Sequence, residues 1–142
     1  MSNIFHLAVE GGDLSKTVPF YQNVLGCSLG PFEKDLWQDI DFWGNELTLH
    51  QTSPRSKKAE DRERHKVDMG LVCVPHFGIH LEWTAYQIVK QSVIDKSQFL
   101  DEPYVRFVGL PTQQETFFIE DPNYNVIEIK SLQGTYYVDG ER

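Results

Sequence analysis

Six side chains stand out by type and position as candidates to bind a metal or move protons: His6, His50, His76, His80, the fifth histidine His65, and Glu128. Imidazole nitrogens and carboxylate oxygens are the donors that hold Fe²⁺, Mn²⁺, Ni²⁺ and Zn²⁺. Two imidazoles and one carboxylate with open positions form the triad suited to Fe(II) that binds substrate and O₂ together. His6 lies in Phe5-His6-Leu7-Ala8-Val9, His76 in Pro75-His76-Phe77-Gly78-Ile79, and Glu128 in Val126-Ile127-Glu128-Ile129. All three stretches read as strands. Strand alternation sets Phe5, Leu7 and Val9 opposite His6, Phe77, Ile79 and Leu81 opposite His76, and Ile127 and Ile129 opposite Glu128. A lone strand histidine is ordinarily a surface or hydrogen-bonded residue. Inward histidines and an inward glutamate at repeat-related places are a better fit to a metal site. His50 ends a further strand as a ligand or an acid–base group, and His80 shares the face of His76 as a pocket or proton-transfer residue.

The elements that position these groups recur twice. A strand from Ile4 to Val9 is broken at Gly11-Gly12-Asp13, and the spacing predicts a helix from about Leu14 to Val24 with Asp13 or Ser15 as cap and Gly26 beyond its end. Strands are predicted from Cys27, over Leu36 to Phe42, and over Glu46 to Gln51, the last two joined at Trp43-Gly44-Asn45. The second pass has an apolar stretch from Met69 to Pro75, a strand over Phe77 to Leu81 and a helix from Trp83 to Ile94. Extended segments follow over Asp101 to Val108, Thr116 to Ile119 and Val126 to Leu132, with a turn at Asp121-Pro122-Asn123-Tyr124-Asn125. Each half is strand–helix–three strands. The predicted fold is therefore α+β: two βαβββ modules forming a curved mixed sheet around a metal cavity, in a single domain over 1–142. Module 1 spans about 4–51, a charged, exposed connection 52–68, module 2 about 69–132, and a short tail 133–142.

At 142 residues, with 40% hydrophobic and 13% aromatic content, the chain is of ordinary globular composition. A net charge of −8 disfavours nucleic acid and anionic membrane as partners. No apolar run approaches a membrane span, and no leader pattern is evident at the start, so a cytoplasmic location is expected. Cys27 and Cys73 lack CxxC spacing and read as free, packing thiols. Arg106 and Tyr104, in one extended segment, are candidates for substrate contact, with an ion pair the ordinary alternative for Arg106. Phe118 is a third candidate, with core packing as its ordinary role.

Phe20-Tyr21-Gln22-Asn23-Val24-Leu25-Gly26 and Asp121-Pro122-Asn123 followed by Val126-Ile127-Glu128-Ile129, taken with the two histidine strands, resemble the vicinal oxygen chelate superfamily over nearly the whole chain. That superfamily includes glyoxalase I, extradiol ring-cleaving dioxygenases, fosfomycin resistance enzymes and metal-free bleomycin-binding proteins. Asp39-Ile40-Asp41-Phe42-Trp43-Gly44 and Glu102-Pro103-Tyr104-Val105-Arg106-Phe107 are similar to a single-domain group to which extradiol-type dioxygenase activity is assigned by inference. The resemblance implies metal ligands at His6, His76 and Glu128, with Thr48 or His50 at the end of the first module. It implies a dioxygenase acting on a small vicinal diol or catechol with Fe(II) and O₂, and His50 or His80 as base. The alternatives are a glyoxalase-like lyase using Ni or Zn with His50 as fourth ligand, and a metal-free drug- or metabolite-binding protein. Mn is a further metal compatible with the set, and a homodimer is the expected assembly.

Overall fold

The computed structural model describes residues 3–58 and 61–133, and the chain divides into two compact units: Met1–Lys58 with Asp121–Asn125, and Ala59–Glu120 with Val126–Arg142. The predicted tail from 134 onward lies outside the described residues.

In the first unit, β1 (His6–Gly12) leads into α1 (Leu14–Pro19), followed by β2 (Ser28–Glu33), β3 (Trp37–Phe42) and β4 (Asn45–Gln51). The four strands form one mixed sheet in the order β1-β4-β3-β2, with β1 parallel to β4. Asp13 caps α1: its Oδ1 accepts from the Ser15 amide at 3.0 Å and the Ser15 hydroxyl at 2.7 Å. The single helix predicted over 14–24 changes pitch partway. Pro19 has no N–H to donate, and the chain widens into a π turn over Phe20–Val24 that closes with the Leu25 amide on the Phe20 carbonyl. This turn buries Phe20, Tyr21 and Val24, and Ile40, Leu47 and Leu49 of the sheet are buried in the same unit.

The second unit holds β5 (Arg64–Val67), β6 (Gly70–Cys73), β7 (Phe77–His80), α2 (Trp83–Lys96), β8 (Asp101–Arg106), β9 (Gln114–Glu120) and β10 (Val126–Leu132). Its four-stranded sheet runs β7-β10-β9-β8, with β7 parallel to β10, so the first unit's topology is repeated. The end of the charged connection expected over 52–68 forms a strand, because Arg64–Val67 pairs with β6 as a hairpin. Charge composition reports which side chains stay in water. A two-stranded ribbon leaves its side chains largely exposed while pairing its backbone. Val72 and Cys73 of this hairpin pack with Phe118 and Val126 on one face of the sheet. Phe117, Ile119, Ile127 and Ile129 are fully buried on the other face, where Tyr86 of α2 meets the ring of Phe117.

Equivalent register positions expose one backbone constraint. Ala8 lies opposite Thr48 in the first sheet, and Gly78 lies opposite Glu128 in the second. A Cβ on Gly78 would overlap the Glu128 carbonyl and its α-carbon, so β7 and β10 approach as only glycine permits. Gly78→Ala is expected to lower stability by about 2–3 kcal/mol by forcing the two strands apart. Urea denaturation monitored by tryptophan fluorescence measures this, and an unchanged midpoint would contradict it.

Candidate metal centre

The repeated topology places Glu128 on a central strand between β7 and β9, facing away from α2 and 5% exposed. His76 stands just before β7. Its Nδ1–H donates to the Cys73 carbonyl at 2.6 Å, which turns Nε2 toward Glu128 Oε1 at 3.4 Å. The edge-on ring of Phe118 holds the imidazole from the side, with centroids 5.2 Å apart. The Thr116 hydroxyl donates to Glu128 Oε2 at 2.7 Å, and Lys130 Nζ lies 3.5 Å from Oε1. Oε1 therefore faces two nitrogen groups while Oε2 is occupied by a hydroxyl.

Burial by itself would raise the Glu128 carboxyl. The hydrogen bonds from His76 and Thr116 and the Lys130 ammonium outweigh it and hold the group down at about 2. The bond to Glu128 raises His76, against partial burial. The donor set fits a metal. Neighbouring ligand atoms on an ion with bonds of about 2.0–2.2 Å are separated by about 3.0–3.5 Å. The 3.4 Å between Nε2 and Oε1 falls in that range. A carbonyl on the distal ring nitrogen is also the usual outer partner of a ligating histidine, fixing both tautomer and ring plane.

The remaining predicted residues of this unit lie around the same sheet face. Tyr104 is opposite Thr116, and Arg106 opposite Gln114. Arg106 is engaged by Asp68 through Nε and NH2, and its guanidinium also lies over the Phe107 ring. Burial pushes the Tyr104 phenol up, so it stays protonated as a donor. His80 pairs in register with Lys130, and packing followed by that ammonium lowers its imidazole.

In the first unit, His6 Nδ1 lies 2.7 Å from Glu46 Oε1, both groups about half exposed. His50, exposed on β4, has Glu10 and Trp37 as register neighbours. The repeat register decides which first-module residue occupies the place of Glu128: it is Thr48, opposite Ala8, while His50 occupies the place of Lys130. The Thr48 hydroxyl donates to Asp39 Oδ1 at 2.6 Å. Beside it a cavity of about 290 Å³ is lined by Ile4, Pro31, Asp39, Asp41 and Glu46, among others. Its acidic wall repels anions. His65 is exposed on β5. Among the described residues no three His, Cys, Asp or Glu side chains are gathered as a metal group, and of the expected ligands the structure brings His76 and Glu128 together. Thr116 and Lys130 escaped the sequence-based assignment. Parity does put Lys130 on the face of Glu128, but the reach of Thr116 depends on cross-strand register, which sequence does not carry.

No family model matches the chain. Among solved structures, a glyoxalase/bleomycin resistance protein/dioxygenase from Alicyclobacillus acidocaldarius is similar at 30% identity and a TM-score of 0.72, over 93% of this chain and 92% of that one. A lactoylglutathione lyase from Agrobacterium tumefaciens shares the fold at 14% identity, TM-score 0.57, over 92% and 94% of the two chains. A fosfomycin resistance protein from Listeria monocytogenes does so at 13% identity, TM-score 0.58, over 92% of each. With the duplicated parallel-edged sheets and the first of these likenesses together, the chain belongs to the glyoxalase/bleomycin resistance protein/dioxygenase family of the vicinal oxygen chelate superfamily.

Proposed function

We propose that this protein is a metal-dependent enzyme of the extradiol dioxygenase type, acting on a small catechol-like or vicinal-diol substrate, with His6, His76 and Glu128 as metal ligands. The observation that carries the reading is the His76–Glu128 pair. Its imidazole tautomer is locked by the Cys73 carbonyl, and its carboxylate is kept ionised by His76 and then Thr116, which also orients it. A protein binding its ligand without metal has no need to bury an ionised carboxylate facing an imidazole. The third ligand in this reading is His6, the repeat counterpart of His76. Thr48 at the counterpart of Glu128 supplies no strong fourth donor, which supports three protein ligands over four.

A bound Fe(II) would supply redox chemistry and two adjacent positions for oxygen donors. The chain's own residues do the rest. Tyr104 orients the substrate from β8, Arg106 borders the same face while held by Asp68, and Phe118 presents an aromatic wall. His80, lowered by its packing and by Lys130, stays neutral near pH 7 and so can accept the proton a diol releases on binding. His50, on β4 of the first module, is the alternative base. Among the described residues no helix is long and apolar enough to cross a membrane.

The reading is tested by stripping metal with a chelator, reconstituting anaerobically with Fe(II), and recording oxygen uptake across a panel of catechols. Uptake that depends on Fe(II) and on one or more catechols is expected. Isomerisation of a hemithioacetal with Ni²⁺ or Zn²⁺, without any oxygen uptake, would replace the dioxygenase by a lyase.

A further inference from the structure

Lys130 is placed where a metal would leave it without a counter-charge. It lies two residues beyond Glu128 on the same strand face, only partly exposed, with Nζ 3.5 Å from Glu128 Oε1. That oxygen is also the one turned toward His76 Nε2. The other strong charges near this face are matched elsewhere: Arg106 by Asp68, and Arg64 by Asp101 at 3.5 Å. A divalent ion taking Oε1 would withdraw the ammonium's carboxylate. A divalent ion, one carboxylate and one ammonium then sum to two positive charges in a half-buried site. Such a sum is costly in partly excluded water unless an anion joins it.

We infer that Lys130 is the residue that recognises the substrate, and that it does so through an anionic oxygen of a small organic anion. This rests on the metal reading above. With His76 and Glu128 holding a divalent ion, the Lys130 ammonium would lose its carboxylate partner and be left to pair with the anionic oxygen. Metal and anion therefore bind cooperatively, and each raises the affinity of the other by the same factor. Arg106 cannot take this role without giving up Asp68.

The experiment uses the chelator-stripped full chain, with Mn²⁺ and oxalate as probes, followed by isothermal titration calorimetry. For the wild type, Mn²⁺ is titrated first, then oxalate into the Mn²⁺-loaded protein. Lys130→Met is expected to bind Mn²⁺ alone several-fold more tightly, because a repelling cation is gone, and to bind oxalate about tenfold more weakly, because a charged hydrogen bond is lost. Lys130→Arg is expected to restore oxalate binding. A purely structural lysine would not move the two affinities in opposite directions. Thermal melts check that each variant is folded, and Lys130→Gln stands in should the Met variant fail to fold. Wild-type oxalate affinity in folded Lys130→Met or Lys130→Gln overturns the inference while Mn²⁺ binding keeps the metal reading intact. Absence of Mn²⁺ binding to the wild type overturns both.

Discussion

Glu128→Gln is expected to weaken divalent-metal binding by more than about a hundredfold while leaving the fold in place. Losing an outer-shell partner of a metal ligand already costs about 10–100-fold, and here a ligand itself is replaced. The amide keeps the carboxylate's shape. Its oxygen can accept the Thr116 hydroxyl, now bonded to Oε2 at 2.7 Å, and its NH₂ can donate to His76 Nε2, now 3.4 Å from Oε1. That donation occupies the lone pair a metal needs. The variant therefore satisfies its buried polar atoms and fails as a chelator. Calorimetric titration with Mn²⁺ or Zn²⁺, beside a thermal melt, separates the two effects; an affinity within about fivefold of wild type would remove Glu128 from the ligand set.

The same pair sets the pH dependence. His76 is raised above its ordinary value chiefly by Glu128, so a metal competes there with a proton bound more tightly than on a free imidazole. Wild-type metal affinity is expected to fall as pH drops through that raised value. In Glu128→Gln the fall moves to lower pH, because the carboxylate that raised His76 is gone. For the metal-free fold, the His76 contribution to stability is complete below its unfolded value near 6.5 and is lost as pH rises through the raised one. The Glu128 contribution is complete above 4.5 and is lost as pH falls toward about 2. Both are present together between about 4.5 and 6.5, the window in which the pair stabilises the metal-free protein most.

Side-chain period explains why so much of this centre was legible in sequence. On β10 alternation alone separates Ile127 and Ile129, both fully buried beneath α2, from Glu128 and Lys130 on the other face. The repeat then marks His6 and His76 as counterparts. Register is where reading stops: a strand shifted by two residues keeps its parity, so Thr48 and His50 are equivalent from sequence, and only the pairing of Ala8 with Thr48 separates them. The β5–β6 hairpin escapes sequence for a different reason, since three polar residues followed by a single apolar one, Val67, give no period to detect. The π turn at Phe20–Val24 keeps nearly the same buried face as an α-helix would, so the periodicity conceals the change of pitch that Pro19 causes.

The turn Asp121–Asn125 was legible as a turn and a family motif, but its energetic weight was not. Asp121 is 2% exposed, and its two oxygens accept four hydrogen bonds. Oδ1 takes the amides of Asn123 and Asn125 at 2.8 and 3.0 Å, and Oδ2 takes the Tyr21 hydroxyl at 2.7 Å and Asn125 Nδ2 at 2.8 Å. Asn123 and Asn125 each donate in turn to the Glu10 carbonyl on β1, and Asn123 Oδ1 accepts the Arg55 amide at 2.7 Å. Gly12, at φ +64°, leaves room for Asn123 where any side chain would collide with it. Asp121→Ala strands several buried donors at once and is expected to destabilise the protein by about 3–5 kcal/mol. Tyr21→Phe removes one of the four bonds and is expected to cost about 1–2 kcal/mol. Because the Tyr21–Asp121 bond would be counted in both, the double variant should be less destabilised than the two losses added together, by about 1 kcal/mol. Urea titrations of the three variants test this. An Asp121→Ala midpoint within about 1 kcal/mol of wild type would mean that water replaces the carboxylate, and that the motif shapes the turn without holding the unit together.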